Sequence, residues 1–211
     1  MHPQVSTAGR LPARGLYAIS DGPRADLLEA SAAALAGGAR MLQYRDKTVD
    51  RHRRGAEAQA LAALCARCRV PLIVNDDVEL AADIGAGVHL GADDADVAAA
   101  RQRLGSAAII GVSCYSSIDR ARALAAAGAD YLAFGAFFSS PTKPDARRAT
   151  LDILRAAGAL QRPLVAIGGI TPENAAPLIE AGADFVAAIS GVFGQADVRA
   201  AAQRSAHLFT Q

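Results

Sequence analysis

Short apolar runs alternate along this chain with longer stretches whose apolar positions recur at helical spacing. The runs at residues 16–20, 40–45, 71–74, 87–90, 107–112, 130–135, 163–167 and 184–189 are too short for helices, and most are largely apolar. That is the signature of strands covered on both faces, as in a parallel sheet. Between them, residues 25–36, 51–67, 78–84, 97–104, 118–127, 150–159, 172–181 and 197–209 read as helices. Glycine closes several: Gly37-Gly38, Gly128, and the paired junctions Ala127-Gly-Ala-Asp130 and Ala181-Gly-Ala-Asp184. Strand and helix alternate without interruption, and 211 residues over eight units is about 26 each. The predicted fold is a single α/β domain, a (β/α)8 TIM barrel over residues 15–211, after a loose, flexible polar tail at 1–14. A doubly wound open sheet fits less well. Its glycine fingerprint should follow the first strand, where Asp21-Gly-Pro-Arg24 stands instead.

Composition narrows the field. Hydrophobic residues make up 52% of the chain, enough for a packed core, and the net charge is +1. So balanced a charge offers no footprint for nucleic acid or an anionic membrane, so no such partner is expected, and any anion site must be local. No run is long enough to span a membrane. Three cysteines, Cys65, Cys68 and Cys114, leave at least one unpaired, which suits a cytoplasmic protein. Nothing here decides the oligomeric state, and a homo-oligomer stays open.

The polar residues that look out of place all follow predicted strands, and in a barrel those points open on one face. Gln43, Arg45 and Lys47 alternate at the end of the second strand. Asp76 ends the third strand and Asp94 follows the fourth, so neighbouring strands bring two acids together. A like-charged pair calls for a cation between them, and few carboxylates with open positions for phosphate and water suit Mg²⁺. Either acid could instead cap a helix, as could Asp77 and Asp93. Gly168-Gly-Ile170 and Ser190-Gly191 follow the seventh and eighth strands, where this fold usually holds phosphate. The sixth strand runs into Ser139, Ser140, Pro141, Thr142 and Lys143, hydroxyl donors with one point charge, which suits phosphate oxygens. His89, between Val88 and Leu90, reads as a packed core histidine rather than a base.

Together these segments resemble a known family. Gln43-Tyr-Arg-Asp-Lys47, Val74-Asn-Asp-Asp77, Gly87-Val-His-Leu-Gly91 with Asp94, Gly111-Val-Ser113, Gly128-Ala-Asp-Tyr131, Pro141-Thr-Lys143 and Ala166-Ile-Gly-Gly-Ile170 are similar, in order, to thiamine-phosphate synthases. The resemblance implies small-molecule substrates. An aminopyrimidine methyl pyrophosphate is joined to a thiazole phosphate, pyrophosphate leaves first, and the thiazole nitrogen captures the resulting carbocation. It implies Gln43, Tyr44, Arg45, Asp46, Lys47, Asn75, Ser113 and Lys143 as contacts to the pyrimidine pyrophosphate, with Lys143, Ser113 and Lys47 the catalytic set. It implies Asp76 and Asp94 as Mg²⁺ ligands, and Ser140, Pro141, Thr142, Gly169, Ile189 and Ser190 as the thiazole phosphate site.

The chain departs from the family pattern at Ala92, at Cys114-Tyr115, at Ala136 and at Ser140. Tyr115 stands where a histidine is usual. Two other functions share the scaffold: a thiazole tautomerase, which needs neither the acid pair nor the Lys143 loop, and a non-catalytic phosphate-ligand binding protein.

Overall fold

A computed structural model describes residues 11–94, 96–139 and 148–210. The chain begins with β1 (Gly15–Ile19), α1 (Leu27–Ala36), β2 (Met41–Tyr44), α2 (Arg51–Cys68), β3 (Leu72–Asn75) and α3 (Val78–Ile84). It continues with β4 (Gly87–Leu90), α4 (Val97–Leu104), β5 (Ile110–Tyr115), α5 (Ile118–Ala126), β6 (Tyr131–Phe134) and α6 (Leu151–Ala157). After a single 3₁₀ turn at Gly158–Leu160 come β7 (Leu164–Ile167), α7 (Ala176–Glu180), β8 (Phe185–Ala188) and α8 (Val198–His207). Each strand pairs in parallel with the next, and β8 pairs with β1, so the sheet closes into a barrel.

Two cores explain why the strands show no clean polar alternation. Leu16 and Ala18 of β1 face the layer between sheet and helices, while Tyr17 and Ile19 face the barrel interior with Met41, Ile73, Tyr131, Val165 and Phe185. Both faces are dry, so both must be apolar. Small side chains hold much of the buried faces of α1 and α8: Ala30, Ser31 and Ala34 in one, and Ala201, Ala202 and Ser205 in the other. Among the described residues no helix is long and apolar enough to cross a membrane.

Three boundaries differ from the sequence reading by three residues or more. The fifth strand lies at Ile110–Tyr115 rather than 107–112, because its far end stays in the ladder: Ser113 pairs with Ala133, and Tyr115 with Phe134 after a register irregularity. Helix α7 starts at Ala176, not at Pro172. The intervening segment is a turn closed by Asn174, whose Oδ1 accepts from the Thr171 N–H at 2.9 Å. Residues 11–14, expected to belong to a loose tail, dock on the barrel: Leu11 packs against the inner core and the Arg14 guanidinium lies 5.8 Å from the Phe209 ring centre.

Candidate active site

The C-terminal ends of the strands open into a cavity of about 610 Å³, the size of a small-molecule site. Gln43, Arg45, Lys47, Asn75, Asp76, Asp94 and Ser113 line one part of it. Gly169, Ile189 and Ser190 line another. Apolar side chains of β1, β6, β7 and β8 line the cavity as well: Ile19, Ala133, Val165, Ile167 and Ala187. Ser140, Pro141, Thr142 and Lys143 lie outside the described residues.

Two residues expected to touch substrate do not line the cavity. Tyr44 points to the helix layer, where its hydroxyl donates to Glu57 of α2 at 2.6 Å. Burial first, and the Glu57 carboxylate second, push its ionisation far above the usual range. Asp46 is buried and ion-paired to Arg53 at 2.7 Å, and its Oδ1 accepts from the Thr48 N–H at 2.8 Å. Burial opposes its charge, yet the Thr48 bonds and Arg53 together hold its carboxyl below the usual carboxylate range. The reason is strand alternation. With Tyr44 and Asp46 anchored to α2 and its approach, Gln43, Arg45 and Lys47 are left facing the cavity.

The acid pair is freed from capping. Asp77, not Asp76, caps α3, accepting from the Leu80 N–H at 3.0 Å. Asp96, not Asp93 or Asp94, caps α4, accepting from the Ala99 N–H at 2.7 Å. Asp76 sits at φ 66°, in the left-handed region, which turns it toward the cavity mouth. Burial, then the neighbouring Asp94 carboxylate, raises the Asp76 pKa, while Lys47, 3.9 Å away, and Asn75 work against the rise. Asp94 in turn accepts from the Gly91 N–H, which folds its loop back over the end of β4. Among the described residues no third His, Cys, Asp or Glu joins these two as a metal cluster. Two carboxylates beside an amide and a lysine form a sparse hard-oxygen set that leaves most positions of an octahedral ion to water and phosphate.

The double glycine after β7 is closely packed. A Cβ on Gly168 would lie 2.4 Å from that of Ala136, and one on Gly169, at φ 62°, would lie 2.4 Å from the Ser139 carbonyl oxygen. The β7 turn thus abuts the segment after β6 at a distance only glycine allows. Asn174 Nδ2 donates to the Gly169 carbonyl at 3.0 Å, and Gln195 Nε2 to that of Ser190 at 3.1 Å, so both turns are pinned by side chains.

Beneath the polar rim lies a buried polar string that the sequence reading missed. Gln43 Nε2 donates to the Tyr17 hydroxyl at 2.6 Å. That hydroxyl is 2.9 Å from the Tyr131 hydroxyl, which is 2.9 Å from His89 Nδ1. His89 Nε2 is 2.9 Å from Ser113 Oγ. His89, Tyr17 and Ser113 all border the cavity. Burial pushes the His89 imidazole down to about 4, against the opposing charge of Asp94, so the ring is neutral near pH 7. Arg120 of α5 was missed too. Its Nε donates to the Ser113 carbonyl at 2.8 Å and its Nη2 to the Gly91 carbonyl at 3.1 Å, tying the β4 and β5 ends together. Its guanidinium lies 5.7 Å from the Tyr115 ring centre, and the Tyr115 hydroxyl accepts from the Ala92 N–H at 3.2 Å. The one available signal was inward strand position for Tyr17 and Tyr131. Arg120 carried none.

Comparison with known proteins bears on this site. Residues 16–192 match the family model described as thiamine monophosphate synthase. The chain is 56% identical over 194 residues to a thiamine-phosphate synthase of Nitrosococcus oceani, covering 90% of this chain and 89% of that one. It is 55% identical over 199 residues to one from Thiobacillus denitrificans, covering 92% and 94%. A solved structure of thiamine phosphate pyrophosphorylase from Pyrococcus furiosus superposes with a TM-score of 0.85 at 33% identity, over 94% of this chain and 96% of that one.

Proposed function

The chain belongs to the thiamine monophosphate synthase family of transferases, and from that premise we propose which substrates meet in its cavity and how. One, a 4-amino-2-methylpyrimidin-5-ylmethyl diphosphate, places its diphosphate against Arg45, Lys47, Asn75 and Ser113. The other, a thiazole phosphate, places its phosphate against Gly169 and Ser190. The observation that carries this reading is one cavity lined by polar groups after β2, β3, β4 and β5, by the glycine and serine turns after β7 and β8, and by apolar side chains. The paired carboxylates follow β3 and β4, and the turns after β7 and β8 are the usual phosphate position of this fold.

Asp76 and Asp94, helped by Asn75, are the residues that would hold Mg²⁺. The fit rests on their juxtaposition, on the raised Asp76 pKa, and on their freedom from helix capping. When bound, the ion would offset diphosphate charge as that group leaves.

The chain's own residues do the rest. Lys47 and Arg45 add positive charge where the leaving group's negative charge grows. Ser113 of β5 borders the cavity as a hydrogen-bond partner. The C–O bond to diphosphate breaks with its electron pair leaving on oxygen, and the thiazole nitrogen's lone pair forms the new C–N bond to the pyrimidinylmethyl cation. Ile19, Val165 and Ile167 supply an apolar lining that limits water as a competing nucleophile. No covalent protein intermediate is required, and placement of two bound partners supplies much of the rate, up to about 7–11 kcal/mol in the best cases. Lys143, outside the described residues, joins this proposal through its motif alone. A cytoplasmic location goes with three free thiols, two of them buried.

The test is to mix both candidate substrates with Mg²⁺ and measure liberated pyrophosphate. The reading expects stoichiometric pyrophosphate and thiamine phosphate. Interconversion of thiazole phosphate isomers without pyrophosphate would establish the tautomerase instead, and binding without turnover the non-catalytic alternative.

A further inference from the structure

Ser113 and His89 present a puzzle. A serine hydroxyl 2.9 Å from a histidine nitrogen is the geometry of an activated nucleophile and its base. In such a pair the ring's other nitrogen carries the proton and gives it to an acceptor, usually a carboxylate. Here the other nitrogen faces the Tyr131 hydroxyl, and no carboxylate bonds to either nitrogen among the described residues.

The direction of the string settles which nitrogen is protonated. An amide NH₂ can only donate, so the Tyr17 oxygen accepts from Gln43. Tyr17 is 1% exposed, and its own proton has one acceptor among the described residues, the Tyr131 oxygen. A buried hydroxyl proton left without an acceptor is costly, so Tyr17 donates to Tyr131. Tyr131 is wholly buried, and its proton then goes to His89 Nδ1. With Nδ1 accepting, the neutral ring carries its proton on Nε2 and donates it to Ser113 Oγ. Ser113 is left with its own hydroxyl proton to give away, and it borders the cavity.

We infer that Gln43, Tyr17, Tyr131 and His89 form a one-way hydrogen-bond string that makes Ser113 an obligate donor to the ligand and denies it a base. Tyr17, Tyr131 and His89 are positioning residues, and the inference rests on the reading that the diphosphate lies beside Ser113. A donor of fixed sense suits a leaving diphosphate, whose oxygens gain negative charge. The string crosses the barrel interior from β2 through β1 and β6 to β4 and β5, so its polarity is held by rigid strands rather than loops.

The test is ¹⁵N NMR of the His89 side chain in the full-length protein, with kinetics of variants alongside. The expected resting signature is a single tautomer protonated on Nε2. It should persist in Ser113→Ala, because the polarity enters from the Gln43 end. In Tyr131→Phe, which keeps the ring and removes the hydroxyl, the signature should become mixed or inverted. Turnover of that variant should fall by about tenfold or more while KM for either substrate changes less than about threefold, because the lost order acts as the diphosphate departs. An Nδ1-protonated ring in the resting protein overturns the inference. So does unchanged kcat in a folded Tyr131→Phe. Absence of pyrophosphate release from the unaltered protein would sink the substrate assignment instead, and the NMR signature would still stand or fall separately.

Discussion

Individual residues carry the charge pattern of this site, and two aspartates show opposite logic. Asp76 is held beside a like charge, so the folded protein without ligand bears a repulsion the unfolded chain lacks. Asp76→Asn should therefore raise the thermal midpoint of the metal-free protein while lowering turnover by at least about 100-fold. A lower midpoint by scanning calorimetry would contradict the first half, and normal turnover the second. Asp46 is the reverse case, a buried carboxylate whose folded pKa is depressed by Thr48 and Arg53. Its contribution is present above the unfolded carboxylate pKa and fades as pH falls through the lower folded value. Asp46→Asn should cost about 3 kcal/mol near neutrality, and the gap from the unaltered protein should close on acidification. A gap constant with pH in urea melts would show that the ion pair is not the cause. Family resemblance implied Asp46 as a substrate contact, although alternation set Gln43, Arg45 and Lys47 on the other face. What strand alternation alone did not show was that Arg53 waits on the other side. Likewise Asp76 and Asp77 are indistinguishable on paper, and only the backbone turn at Asp76 assigns capping to one and the cavity to the other.

At the scale of elements, strand β5 decides the depth of the site. Reading it three residues early put Ser113 just past its last residue; in the ladder opposite Ala133 it is part of a rigid wall. Gly111, two residues before, lies beneath the Tyr131 ring, and a Cβ there would fall 1.8 Å from Tyr131 Cζ. Gly111→Ala should cost about 3 kcal/mol by overpacking and disorganise the string to His89. A denaturation midpoint within error of the unaltered protein would show that the ring moves aside freely. Arg120 binds the ends of β4 and β5 through two carbonyls. Arg120→Ala should lower stability by about 2 kcal/mol and raise the Mg²⁺ concentration needed for half-maximal activity, because Gly91 opens the turn that carries Asp94. An unchanged Mg²⁺ requirement would leave Arg120 a purely structural tie. None of this was legible in the sequence, since Arg120 sits on a polar helix face and its partners are backbone atoms. The double glycine after β7 was legible as a special position, though its close contact with the segment after β6 was not.

For the whole molecule, the order of elements and the closed barrel followed from the pattern of short apolar runs, because burial on both sheet faces leaves little room for another reading. From the barrel came the assembly of the site, since eight strand ends must open together. The long-range polar string was beyond that logic: its Tyr17–Tyr131 contact joins residues 114 apart in sequence, and nothing local to either announces the other. The proposed function turns on a divalent ion held by Asp76 and Asp94 that binds the diphosphate end of one substrate. The most direct measurement is calorimetric titration of inorganic pyrophosphate into the protein, with and without Mg²⁺, and into Asp76→Asn and Asp94→Asn. Binding that needs Mg²⁺ and disappears in both variants is the predicted result. Equal affinity without the ion, or in either variant, would contradict it.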